Sequence, residues 1–182
     1  MLDPHPNLTS SVLTGLGWLY FILFLMNIGW TVRAYRQGTH HRIGGWDIPS
    51  AATWALYSSV LGMISIAHFT GADNPSTFLW HMPDWLSYSI NLVANPVAYF
   101  SLSIVLFVLI VVLRKWLIKP TVAWVLLNVS LIFMALSITD YDFRQIVGKP
   151  DNVPIVSMLF IVAFFTWIYF KRAVDNDNRI AQ

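Results

Sequence analysis

The chain contains no cysteine and no glutamate among its 182 residues, and only 11% of them are charged. Without thiols there can be no disulfide, no iron–sulfur cluster, no thiol catalysis and no covalent c-type haem attachment. Any redox centre held by this chain would be non-covalent and bound through His or Met. Soluble domains carry roughly a quarter charged residues. The shortage of charge, together with 57% hydrophobic and 15% aromatic residues, therefore points to a bilayer as the solvent. No HExxH, GxSxG, Walker or glycine-rich dinucleotide pattern occurs, so a conventional enzyme active site has no support. The first apolar stretch follows no basic segment and precedes no small-residue cleavage pattern, and it is expected to be retained.

Five apolar runs are present, over residues 12–32, 50–69, 88–113, 120–138 and 154–170. A crossing helix needs about 20 residues, so the pattern predicts an all-α, polytopic membrane helical bundle: one integral-membrane domain over 1–182 with five transmembrane helices. The third run is expected to kink at Pro96. The connection from Gly71 to Asn95 carries Phe78, Trp80, Trp85 and Tyr88, aromatics that suit an interfacial helix in the long outer loop.

Basic residues set the expected orientation. Arg33, Arg36 and Arg42 follow the first run, Arg114, Lys115 and Lys119 the third, and Lys171, Arg172 and Arg179 the fifth. Those nine share one side, and only Arg144 and Lys149 fall on the other. Cytoplasmic loops retain Lys and Arg, which predicts an N-terminus outside and a C-terminus in the cytoplasm. A basic inner face is the ordinary result of topology and anionic lipid and gives no support to nucleic-acid binding.

No Asp, Lys or Arg lies inside the five runs. Pumps and coupled carriers depend on intramembrane ionisable groups, so the chain does not read as either. The exception to the uncharged interior is His68, near the outer end of the second run, with His81 thirteen residues later. Two neutral imidazoles can supply the axial ligands of a b-type haem, and an interfacial histidine bonded to a partner or headgroup is the plainer reading. Trp80, Trp85 and Tyr88 are candidates to border a quinone or haem edge. His40 and His41 have only Asp47 nearby and read as a solvated loop, with Gly44 and Gly45 making an ordered turn; His5 has no evident partner. On the second run, Ala51, Ala55, Ser58, Ser59 and Gly62 form a small-residue face, read as a seam for a neighbouring helix. In the loop from Asp140 to Val153, Arg144 is expected to pair with Asp140 or Asp142, and Asp151 or Asn152 to cap the fifth helix. The tail beyond Arg172 is expected to be mobile at its end.

The segment from Phe143 through Gly148, Lys149, Pro150, Asp151, Asn152 and Pro154 to Met158, followed by an aromatic-rich helix and the tail Val174 to Ala181, resembles small integral-membrane subunits that accompany bacterial cytochrome b and multihaem cytochrome c proteins in quinol-oxidising, bc-type-related complexes. The resemblance spans the last quarter of the chain and carries no ligand set. It implies an accessory or anchor subunit of a respiratory quinol:cytochrome c type complex, packed beside a cytochrome b-like subunit, with a periplasmic redox protein at its outer loops. On that reading this chain binds no cofactor alone, and haem b or quinone is shared with a partner. A b-haem subunit using His68 and His81 is one alternative; a small channel, a transport component or an assembly factor is another.

Overall fold

The computed structural model describes residues 8–78, 80–93 and 95–182; Asp3 and His5 lie outside them. The described chain divides into two compact units, Met1–Trp80 and His81–Gln182.

In the first unit, helix α1 spans Ser10–Gln37 and α2 spans Ser50–Gly71. Thr9 starts α1 by accepting a hydrogen bond from the Val12 amide at 3.4 Å, and Gly38, at φ 58°, ends it, because a left-handed residue stops the helix without a Cβ penalty. The buried residues Leu13, Tyr20, Asn27 and Ala34 on α1 recur every seven positions, as do Ser58, Ser65 and Ala72, and Leu61 and His68, on and just beyond α2. That spacing keeps one seam of each helix turned toward its neighbour.

Two short strands, β1 (His40–Ile43) and β2 (Trp46–Pro49), join the helices in an antiparallel pair with Ile43 opposite Trp46. The connecting residues Gly44 and Gly45 have φ of 57° and 87°, the two-residue turn that matches strand twist and demands positive φ at both positions. The expected turn is therefore a β-hairpin. It is closed by the Ser50 amide donating to the Thr39 carbonyl at 2.8 Å.

The second unit is helical throughout its regular structure: α3 (Asp84–Val93), α4 (Pro96–Val112), α5 (Arg114–Leu117), α6 (Pro120–Ile138), α7 (Tyr141–Val147) and α8 (Asn152–Ile180). Helices α3 and α4 meet at 85°. Pro96 opens α4 instead of kinking a longer helix, and Asn95 caps it by accepting from the Ala98 amide at 2.9 Å. The break has two causes: Pro lacks the amide needed to continue the ladder, and Asn supplies the cap that starts a new one.

Two long-range bonds organise this unit. Thr139, at the end of α6, accepts from the buried Met82 amide at 2.8 Å while donating to the Leu136 carbonyl at 2.6 Å. Where α4 ends, Arg114 pairs with Asp177 of α8 at 3.3 Å. The tail is accordingly helical to Ile180; Lys171 and Arg172 mark a change of polarity and not the end of the helix. Asp151 occupies the N-cap position of α8 without a side-chain bond, Asn152 bonds back to the Ile146 carbonyl at 2.7 Å, and it is Asp140 that caps a helix, bonding the Phe143 amide at the start of α7. Arg144 donates to the Ile138 carbonyl at 3.2 Å and lies over the Tyr141 ring.

Among the described residues, α1, α2, α6 and α8 are each long and apolar enough to cross a membrane, and the bent pair α3 and α4 meets the same test together. Helix α4 buries no residue, and α8 buries only Val174. Most of their Val, Ile, Leu and Phe side chains are exposed, the property of helices surrounded by lipid or by other apolar helices.

Candidate functional site

Close contact of α1 with α2 places the candidate site. Gly17 brings α1 against Phe69: a Cβ built on Gly17 would lie 2.9 Å from two atoms of that ring. The same approach lets Ser65 donate its hydroxyl proton to the Gly17 carbonyl at 2.8 Å across the seam. The small-residue face is used in part. Ser58 is buried and Gly62 faces Phe24, whereas Ser59 is exposed and bonds its own helix at Ala55. Ser65 and Asn27, which sequence reasoning passed over, are buried in the seam. Their heptad spacing was the signal that would have found them.

One turn beyond Ser65, His68 is 1% exposed. Its ring lies between Tyr20 of α1 and Phe78, which follows the 3-10 turn Pro75–Thr77, with both centroids 4.9 Å away. His68 Nδ1 is 2.8 Å from the Ile64 carbonyl. A carbonyl only accepts, so Nδ1 carries the proton of the neutral imidazole and Nε2 is left with its lone pair. That Nε2 is buried and has no hydrogen-bond partner among the described residues. Leaving it unsatisfied costs about 1–3 kcal/mol, a cost that a ligand or partner group supplying a proton or a metal would remove.

His68 forms part of a groove of about 340 Å³, completed by Val60, Met63, Ile64, Ala67, Phe78 and Trp80. Apart from the imidazole every lining side chain is apolar or aromatic. The volume is at the small end of ligand sites, which run from roughly 300 to 1,000 Å³. It suits a head of one or two rings.

Of the candidates marked in the sequence, the groove brings together His68 and Trp80. His81, Trp85 and Tyr88 belong to the second unit. Trp85 and Tyr88 lie one turn apart on α3 and are 69% and 71% exposed, forming a bare aromatic face with Leu92. His40 is 3.5 Å from Asp47 across the hairpin, both largely exposed. No cluster of three or more metal-ligating side chains occurs among the described residues. Sequence reasoning found His68 as the one histidine in an apolar run, but not Tyr20 or Phe78, which reach it only through tertiary packing.

No protein-family model, curated protein or solved structure matches this chain.

Proposed function

We propose that the chain is an accessory transmembrane subunit of a membrane-bound quinol:cytochrome c type electron-transfer complex. It would cross a bacterial inner membrane with its N-terminus outside and its C-terminus in the cytoplasm. The observation that carries this reading is a groove lined, among the described residues, by apolar and aromatic side chains and the His68 imidazole, in a chain with no charged residue in its long apolar runs. Such a site can hold and orient a ring but offers no relay for protons or ions. Its contribution is positional: the groove borders a quinone or haem edge shared with a cytochrome b-like subunit. The exposed apolar surfaces of α4 and α8 supply the area for that partner and for lipid. The loop bearing α7, with Asp140, Asp142, Arg144, Lys149 and Asp151, is the docking surface for a periplasmic redox protein.

Purification from native membranes in mild detergent tests this. A b-type cytochrome subunit and a multihaem cytochrome c at fixed stoichiometry are the expected companions; elution of this chain without haem proteins overturns the reading. Orientation is checked by single cysteines, for which the thiol-free chain is a ready background. An impermeant maleimide added to intact cells should label Ser76→Cys and spare Gly38→Cys.

The lone pair on His68 Nε2 also favours a second reading, ligation of a b-type haem through His68. An α band in reduced-minus-oxidised spectra of the purified chain, lost in His68→Ala, is its signature. A colourless preparation eliminates it.

A further inference from the structure

Resting on the reading that this chain borders a quinone site, we infer that the groove beside His68 selects the reduced, hydroxyl-bearing form of a ring-headed membrane lipid, a hydroquinone, whose O–H donates to His68 Nε2. The tautomer decides which redox form is recognised. With its proton committed at Nδ1 to the Ile64 carbonyl, the neutral imidazole offers an acceptor and no donor at Nε2. A hydroquinone hydroxyl supplies the missing proton. A quinone carbonyl presents a second lone pair to the first and gains nothing at that nitrogen.

The remaining surface agrees with a ring and an apolar tail. Val60, Met63, Ala67 and Trp80 are apolar groove residues with exposed side chains, so one side of the site is open to whatever surrounds α2, which in a bilayer is the phase that dissolves such a lipid. Trp80 offers a ring face for stacking. Nε2 itself is closed to water, so a neighbouring side chain must move for the ligand to reach it, and the rings of Tyr20 and Phe78 lie against the imidazole. Tyr20 is held in the helix seam at 2% exposure, whereas Phe78 is half-buried and sits outside the helices. Phe78 is therefore the ring that yields.

The test uses the purified full chain in lipid nanodiscs and three probes of one shape: a short-tailed naphthohydroquinone, the corresponding naphthoquinone, and the dimethyl ether of the hydroquinone, which keeps the ring and loses both donors. The hydroquinone should bind at least tenfold more tightly than either of the others. For a two-electron couple that preference raises the midpoint potential of the bound pair by about 30 mV. His68→Phe should abolish the preference while keeping a ring in place, and Ala67→Trp, which fills the groove and leaves His68 untouched, should weaken binding of all three probes. Equal or tighter binding of the quinone, or of the ether, overturns the inference, as does a preference that survives His68→Phe. Should His68→Phe fail to fold, the three probes on the unaltered chain decide by themselves. Lost preference with haem partners still co-purifying refutes this inference alone. A retained preference without such partners supports it and refutes the subunit reading instead.

Discussion

Replacing Gly17 with Ala tests whether α1 and α2 are held together by close backbone approach. In isolation the change favours a helix by about 0.8–1.0 kcal/mol, because Ala loses less backbone entropy than Gly. At Gly17 the new Cβ would stand 2.9 Å from Cδ1 and Cε1 of Phe69 and 3.1 Å from its Cγ. Cγ is fixed one bond from the Phe69 Cβ, so the ring cannot clear the overlap by rotating about its own axis, and the helices must separate or Phe69 must leave its rotamer. Overpacking of this kind costs about 1–3 kcal/mol. Separation also stretches the 2.8 Å bond from Ser65 to the Gly17 carbonyl, worth about 0.6 kcal/mol for an interhelical bond in a membrane protein. Gly15 is the control, since nothing lies within 4 Å of a Cβ placed there. Reversible unfolding in mixed micelles should place Gly17→Ala about 1–3 kcal/mol below Gly15→Ala. Phe69→Leu should recover part of that gap, and Ser65→Ala should cost less in the Gly17→Ala background than alone, because the bond is already broken there. Equal stabilities for the two glycine variants would refute the close-packed seam.

Further outcomes follow from single contacts. Thr139→Val removes the acceptor for the buried Met82 amide and should lower stability by about 1–3 kcal/mol, whereas Thr139→Ser, which keeps the hydroxyl, should recover most of it in the same unfolding assay. Asn95→Ala removes the cap of α4 and should cost about 1 kcal/mol, with Asn95→Asp near neutral; circular dichroism on denaturant titration reads both. Gly44→Ala forces a Cβ into a left-handed conformation at φ 57°, a cost of about 1–2 kcal/mol, while Gly44→Asn should be tolerated because Asn accepts that turn. The pair of Arg114 with Asp177 is about a third to a half exposed; a double-mutant cycle should return a coupling below about 1 kcal/mol that falls with added salt.

The helical segments were legible because a chain that crosses lipid must satisfy its backbone within each segment, which leaves a one-dimensional record of apolar length. The small hairpin was harder to see: His40 to Pro49 carries no alternating apolar pattern, and only the Gly44 and Gly45 pair marks its turn. Helix α7 lay hidden in a polar string because its cap, Asp140, belongs to the preceding loop. The continuation of α8 to Ile180 went unread because charged residues after an apolar run end a span, not a helix.

By composition and spacing alone, this sequence determined that long uncharged helices dominate the chain, that basic residues gather between alternate runs, and that His68 is the one histidine within an apolar run. Tertiary packing decided the rest. It chose which face of α2 meets α1, set Tyr20 and Phe78 against the His68 ring, committed Nδ1 to a backbone carbonyl, and left Nε2 buried without a hydrogen-bond partner among the described residues. The reason is physical: transfer into lipid depends on each segment's own side chains, whereas the tautomer and free lone pair of a buried imidazole depend on neighbours that the linear order does not name.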